Sequence, residues 1–188
     1  MTAHSKRLIV LIGLRASGKS SLATALSHAL GVRSVDLDDL TATRLGFASA
    51  NEAFVQCGEV RFRTAEAQAM RAALAGELDG EPAIIALGGG TPTAPGVAEL
   101  LQEARKIGRA FVVFLDPPLS VLAARLALNA GGRPSITGRG LIAEIEELAR
   151  QRRPLYAALA DLVVVRDEPL ADTVSTVTAR LRGRASNS

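Results

Sequence analysis

The sequence predicts an α/β protein: a three-layer, doubly wound sandwich with a five-stranded parallel sheet at its centre. Three observations predict it. Short aliphatic runs alternate along the chain with longer stretches whose apolar residues recur at helical spacing. The runs are unbroken by polar residues, as in strands covered on both faces. Hydrophobic residues make up 48% of the 188 and charged residues 22%, enough for one buried core and too apolar for wholesale disorder. A chain of this length suits one domain, read here as residues 1–188 with a frayed tail after Gly183.

Taken in order, residues 8–12 are five apolar residues running straight into a glycine-containing loop, a first buried strand. Residues 20–30 place Leu22, Ala23, Leu26, Ala29 and Leu30 on one helical face, and Gly31 ends that helix. Residues 34–37 form a second strand and 59–78 a long helix. Residues 83–87 are a third strand entering Gly88-Gly89-Gly90, followed by a helix over 95–107. Residues 110–115 are a fourth strand and 119–128 a helix. The glycine-rich stretch 129–140 reads as a loop, and 141–160 as a helix kinked near Pro154. A fifth strand at 162–165 and a helix over 170–181 close the chain. In such sheets ligands bind beyond the carboxyl ends of the strands.

Composition narrows the function. Aromatics are 3% with no Trp, which argues against modules that stack nucleobases. One cysteine, Cys57, and two histidines, His4 and His28, exclude a disulfide framework and a multi-ligand zinc site. Cys57 reads as a small packing residue and His28 as structural. The net charge of +3 rests mainly on arginine, with only Lys6, Lys19 and Lys106 as lysines. Forked guanidinium groups suit phosphates and carboxylates, and the charge is too mild to imply nucleic acid. No apolar run is long enough for a secretory or membrane segment, so a cytoplasmic location is expected.

Gly13-Leu14-Arg15-Ala16-Ser17-Gly18-Lys19-Ser20 matches the phosphate-loop pattern G-x-x-x-x-G-K-S/T between a buried strand and a helix. Chance would supply about 0.003 matches in a chain of this composition. Its glycines let backbone N–H groups turn around a phosphate, and the following helix adds the positive end of its dipole. Gly13, Ala16, Ser17, Gly18, Lys19, Ser20 and Ser21 are therefore candidate nucleotide contacts. Lys19 reaches the β- and γ-phosphates, and the Ser20 hydroxyl suits Mg²⁺. Val35-Asp36-Leu37-Asp38-Asp39 then brings carboxylates to the end of the second strand. If that strand stays extended, Asp36 and Asp38 share a face toward the nucleotide. One can hold Mg²⁺ through its water shell and the other accept a proton, while Asp39 caps the next helix.

Together these motifs resemble the shikimate kinases, small phosphate-loop kinases of the nucleoside-monophosphate-kinase-like group, over nearly the whole chain. The resemblance rests on Asp36-Leu37-Asp38 and on Gly58-Glu59-Val60-Arg61-Phe62-Arg63-Thr64-Ala65-Glu66. It rests also on Gly88-Gly89-Gly90, Arg133-Pro134 and Arg152-Arg153-Pro154-Leu155-Tyr156. It implies a sheet in the order 2-3-1-4-5, a mobile lid at about 129–140, and transfer of the γ-phosphoryl group of ATP to the 3-hydroxyl of shikimate with Mg²⁺. By resemblance Asp38 binds the acceptor hydroxyls and serves as base, while Asp36 is the indirect Mg²⁺ ligand. Arg63 and Arg152 hold the carboxylate, with Glu66 orienting Arg63. Gly88, Gly89 and Gly90 let backbone approach the acceptor, and Lys19 and the lid's Arg133 neutralise the transferring group. Arg125 and Pro169 flank adenine. Two departures from the family pattern stand out, Ser135 after the lid Arg-Pro and Asp167 before Pro169. A monomer acting on shikimate and ATP is expected. Two other readings remain at this point: a kinase of the same group acting on another small acid such as gluconate, or a silent ligand-sensing module. The intact Lys19, Asp36, Asp38 and Arg133 argue against the silent module.

Overall fold

The computed structural model describes residues 7–128, 141–165 and 169–185. Five parallel strands, β1 (Leu8–Ile12), β2 (Ser34–Asp36), β3 (Ile84–Ala86), β4 (Ala110–Leu115) and β5 (Leu162–Val164), form one sheet in the order β2-β3-β1-β4-β5. β1 is central, pairing Val10 with Ile85 on one side and Val112 on the other. Every residue of β1 and β4 is buried, which is why both read as unbroken apolar runs.

The alternation of side chains along β1 and β4 divides the core in two. Val10, Ile12, Val112 and Phe114 face a cluster with Met70, Leu101, Tyr156 and Leu159. Ile9, Leu11, Phe111 and Val113 face Leu22, Leu26 and Val177 on the other side. Helices α1 (Lys19–Leu30) and α8 (Leu170–Ala185) cover the second face. Helices α4 (Glu59–Ala75), α5 (Val97–Lys106) and α7 (Leu141–Leu159) cover the first. α6 (Leu119–Leu128) packs on α7. The three-layer, doubly wound class and the strand order are as the sequence predicts.

Two helices were not foreseen. α2 (Leu37–Arg44) and α3 (Ala50–Cys57) occupy the stretch between β2 and α4. They close on a small satellite core of Ala42, Ala50, Ala53 and Phe62, with the Phe54 and Phe62 rings edge to face at 5.7 Å. α7 runs through Pro154 without a break. Because the chain passes from β1 outward to β2 and later crosses to β4, the sheet order switches direction beside β1. The carboxyl end of β1 is therefore where a ligand crevice is expected, and the phosphate loop stands there.

Candidate active site

The loop between β1 and α1 is built around Lys19. Its ammonium donates to the carbonyls of Gly13 (3.0 Å) and Leu14 (2.9 Å) and lies 3.4 Å from Ser17 Oγ. Gly18 takes φ 95° at the head of α1, and Ala16 takes φ 60°, a left-handed conformation unusual for a residue with a Cβ. Lys19 is buried, and burial pulls its ammonium down to about 8 against the attraction of Asp38 and Asp36. Arg125 reaches over the loop from α6, its Nη1 donating to Ala16 O at 3.4 Å. The predicted nucleotide contacts Gly13 through Ser21 thus form one loop and helix start, with Ser17 buried and Ser20 and Ser21 exposed.

The acidic step differs from the extended geometry expected of it. β2 ends at Asp36, and Asp38 belongs to the first turn of α2. Asp36 is the N-cap: its Oδ1 accepts from Asp38 N at 3.0 Å. Its other oxygen, Oδ2, accepts from the Ser20 hydroxyl at 2.7 Å. Asp39 therefore does not cap the helix; Asp36 does. The two carboxylates do not share a strand face, because the cap turns the chain between them. The cap also swings Asp38 inward to the glycine run, where Oδ1 is buried without a hydrogen-bond partner. Burial first, then the neighbouring charges of Glu66 and Asp36 and a side-chain hydrogen bond with Glu66, push Asp38 up to about 7, and Lys19 offsets part of that.

The glycine run after β3 packs closely against the protein's own groups. Its missing side chains leave room for the protein's own groups. A Cβ on Gly88 would overlap Asp38 Oδ1, and one on Gly90 would overlap the Arg63 guanidinium. A Cβ on Gly89 would stand 3.0 Å from Arg15 N of the phosphate loop. The carbonyl of Gly89 accepts from Arg152 Nη1 at 2.8 Å and from the Tyr156 hydroxyl at 2.7 Å. Three glycines thus draw Asp38, both guanidinium groups and the phosphate loop to one place. Gly88→Ala is expected to lower kcat/KM for the acceptor about 100-fold by displacing Asp38. Gly183→Ala, in α8 with nothing within 4 Å of the added carbon, serves as the silent control. Equal activity of the two variants in steady-state assays would refute that geometry.

Arg63 on α4 sits on Glu66 Oε2 (2.6 Å) and Glu59 (3.5 Å), with the Phe54 ring 5.7 Å from its carbon centre. Burial opposes its charge, yet Glu66 and Glu59 hold it above the ordinary guanidinium value. The choice between adjacent arginines on α7 is clear. Arg152 faces the glycine run, whereas Arg153 turns to Asp116, Nε to Oδ1 at 2.7 Å, and to Pro117 O. Burial pushes the Tyr156 phenol up to about 12, so it stays a donor to Gly89. Behind Arg152 a small pocket of about 20 Å³ lies between the phosphate loop, α6 and α7, walled by Leu14, Arg15, Ile145 and Leu148 among others.

Not every predicted residue enters this cluster. Arg133 and the predicted lid at 129–140 lie outside the described residues, as does Asp167. Pro169 is exposed at the head of α8, where its carbonyl accepts from Asp172 N and Thr173 N. Two contributors had no sequence signal beyond their neighbourhood: Tyr156 as a donor to Gly89, and Thr91, whose buried hydroxyl donates to Glu66.

Among the described residues no trio of His, Cys, Asp or Glu is placed to hold a metal ion. A hydroxyl and one carboxylate, Ser20 with Asp36, still suit Mg²⁺, which keeps most of its waters and takes phosphate oxygens as ligands.

The family model described as shikimate kinase matches residues 15–182. A shikimate kinase of Nitratidesulfovibrio vulgaris is 39% identical over 175 residues, covering 92% of this chain and 94% of that protein. The crystal structure of shikimate kinase from Aquifex aeolicus matches at 28% identity and a TM-score of 0.72, over 96% of this chain and 99% of that one. Shikimate kinase from Acinetobacter baumannii in complex with shikimate shares the fold at a TM-score of 0.80 and 24% identity, over 95% of this chain and 94% of that one. With its phosphate loop, buried acid and paired guanidinium groups converging on three glycines, the chain belongs to the shikimate kinase family.

Proposed function

We propose that this chain transfers the γ-phosphoryl group of ATP to the 3-hydroxyl of shikimate, giving 3-phosphoshikimate and ADP in the cytoplasm. The observation that carries this reading is Asp38 Oδ1. A buried carboxylate oxygen without a partner is costly, and an incoming hydroxyl is the donor that satisfies it. Its neighbours define the two ends of the reaction. Lys19, whose charge acts on Asp38, belongs to the nucleotide loop, and Arg63, held by Glu66, belongs to the acceptor side.

Arg63 and Arg152 receive the planar carboxylate of the acceptor, which forked donors bind better than lysine would. That anchorage turns one ring hydroxyl toward Asp38, which accepts its proton as the oxygen attacks. A carboxyl near pH 7 is suited to that exchange at neutral pH. On the other side Lys19 leaves the carbonyls of Gly13 and Leu14 for the β- and γ-phosphates, while the loop's N–H groups and the start of α1 hold the phosphate chain. Ser20 and Asp36 would hold Mg²⁺, which when bound would supply neutralisation of phosphate charge. By resemblance to the family, Arg125 and Pro169 would flank adenine and Arg133 would neutralise charge on the transferring group. Catalysis is mainly positioning and charge neutralisation.

The test is ADP release at saturating ATP and Mg²⁺, with shikimate, with gluconate and with no acceptor. Shikimate-dependent ADP is expected. Release that depends on gluconate instead would favour the sister activity. No acceptor-dependent ADP would overturn the kinase reading and favour the ligand-sensing module.

A further inference from the structure

Thr91 follows the glycine run directly and opens the short 3-10 turn Thr91–Thr93. Its side chain is fully buried, and its hydroxyl donates to Glu66 Oε1. The other oxygen of that carboxylate, Oε2, receives Nη1 of Arg63 at 2.6 Å. Glu66 is itself completely buried. We propose that Thr91 is a positioning residue for the acceptor: through Glu66 it sets the orientation of the Arg63 guanidinium.

The argument is one of torsional freedom. The last torsion of a glutamate is broad, so one partner leaves the plane of the carboxylate poorly defined. Donors on both oxygens define it, and a guanidinium paired with that plane inherits its direction. Thr91 is well placed to be the second donor because it cannot move independently of the glycine run. Its backbone N–H donates to Gly88 O at 3.1 Å, and Thr93 Oγ1 donates to Gly90 O at 2.7 Å. A Cβ on Gly88 would meet both the Thr91 hydroxyl, at 2.8 Å, and Asp38 Oδ1. One turn therefore ties the run that receives Arg152 to the helix that carries Arg63. Without the hydroxyl, Glu66 loses its donor from the glycine turn and keeps only Arg63 and the neighbouring Asp38 carboxyl, so the carboxylate can rotate away from Arg63. The inference rests on the reading of Arg63 as an acceptor ligand.

Steady-state kinetics of the full chain with shikimate and ATP test it, using Thr91→Val, Thr91→Ala, Thr91→Ser and Arg63→Ala. Thr91→Val keeps the shape and removes the donor. It is expected to raise the KM for shikimate about 10-fold, with kcat and the KM for ATP within about 2-fold of wild type. Thr91→Ser restores the donor and is expected to restore the KM. Thr91→Ala, which asks for no new methyl packing, gives the same reading if the valine variant does not fold. An unchanged shikimate KM in the variants lacking the donor, an equal rise in both KM values, or failure of serine to rescue would each overturn the proposal. Arg63→Ala separates the two levels. If it leaves the shikimate KM unchanged, the acceptor reading of Arg63 falls. If it raises that KM while Thr91→Val does not, only the positioning role falls.

Discussion

Asp38→Asn is expected to lower kcat about 10³-fold while raising the melting temperature of the ligand-free protein at pH 7.5. Both effects come from one carboxylate. Asparagine fills the same space but accepts no proton, so the base is lost. It also carries no charge into a site where burial, Glu66 and Asp36 all oppose one. The pH dependence has a definite sign. The folded-state value, about 7, lies above the ordinary 3.8. Below about pH 4 the carboxyl is protonated whether the chain is folded or not, and it costs nothing. Between about 4 and 7 the unfolded chain gives up the proton and the folded one keeps it, so stability falls as pH rises. Above 7 the full penalty applies. The variant should therefore melt about 3–6 °C above wild type at pH 7.5, and the gap should close near pH 4. Thermal melts at the two pH values, together with kcat, check this. A variant that keeps a tenth of wild-type kcat would remove Asp38 from the role of base, and one that melts below wild type at pH 7.5 would overturn the buried-charge penalty. Lys19 behaves oppositely: its folded-state value, about 8, lies below the ordinary 10.5, so its penalty is present below 8 and fades as pH rises toward 10.5.

The second large effect is expected at the acceptor's carboxylate. Arg63→Ala and Arg152→Ala should each raise the KM for shikimate by about 10–100-fold, as loss of a charge-assisted hydrogen bond does. The KM for ATP should stay within about 2-fold. The double variant should fall short of the product of the single effects. Both guanidinium groups stand on the same three glycines, so their losses couple. Arg153→Ala is the matched control. It removes a partly exposed pair with Asp116, worth about 1 kcal/mol or less, and so lowers the melting temperature slightly without touching either KM. If Arg153→Ala raised the shikimate KM as Arg152→Ala does, the assignment of the two faces of α7 would be wrong.

How much of this was legible beforehand depended on how local each signal was. β4 was read to the residue because a strand buried on both faces writes itself as an uninterrupted apolar run. The ends of α1 and α4 fell at Gly31 and Gly76, both left-handed, the first of them foreseen. α2 and α3 went unseen. Each has only eight residues, too few for a helical period to stand out, and each is held by a side-chain cap and a four-residue satellite core. The same cap misled the reading of the acids. Asp36 ends its strand by accepting from the backbone of Asp38, so the two carboxylates part where an extended chain would have aligned them.

By itself the sequence determined the class of sheet, the phosphate loop and the Arg63–Glu66 pair, because each is decided within a few consecutive residues by burial, by glycine and by helical spacing. Only the tertiary structure turned Arg153 to Asp116 while Arg152 faces the glycine run, and showed why the run at Gly88 admits no side chain. It alone brought Thr91 to Glu66, 25 positions away. Those contacts join separate elements, and a packed interior determines them only when all its surfaces meet at once.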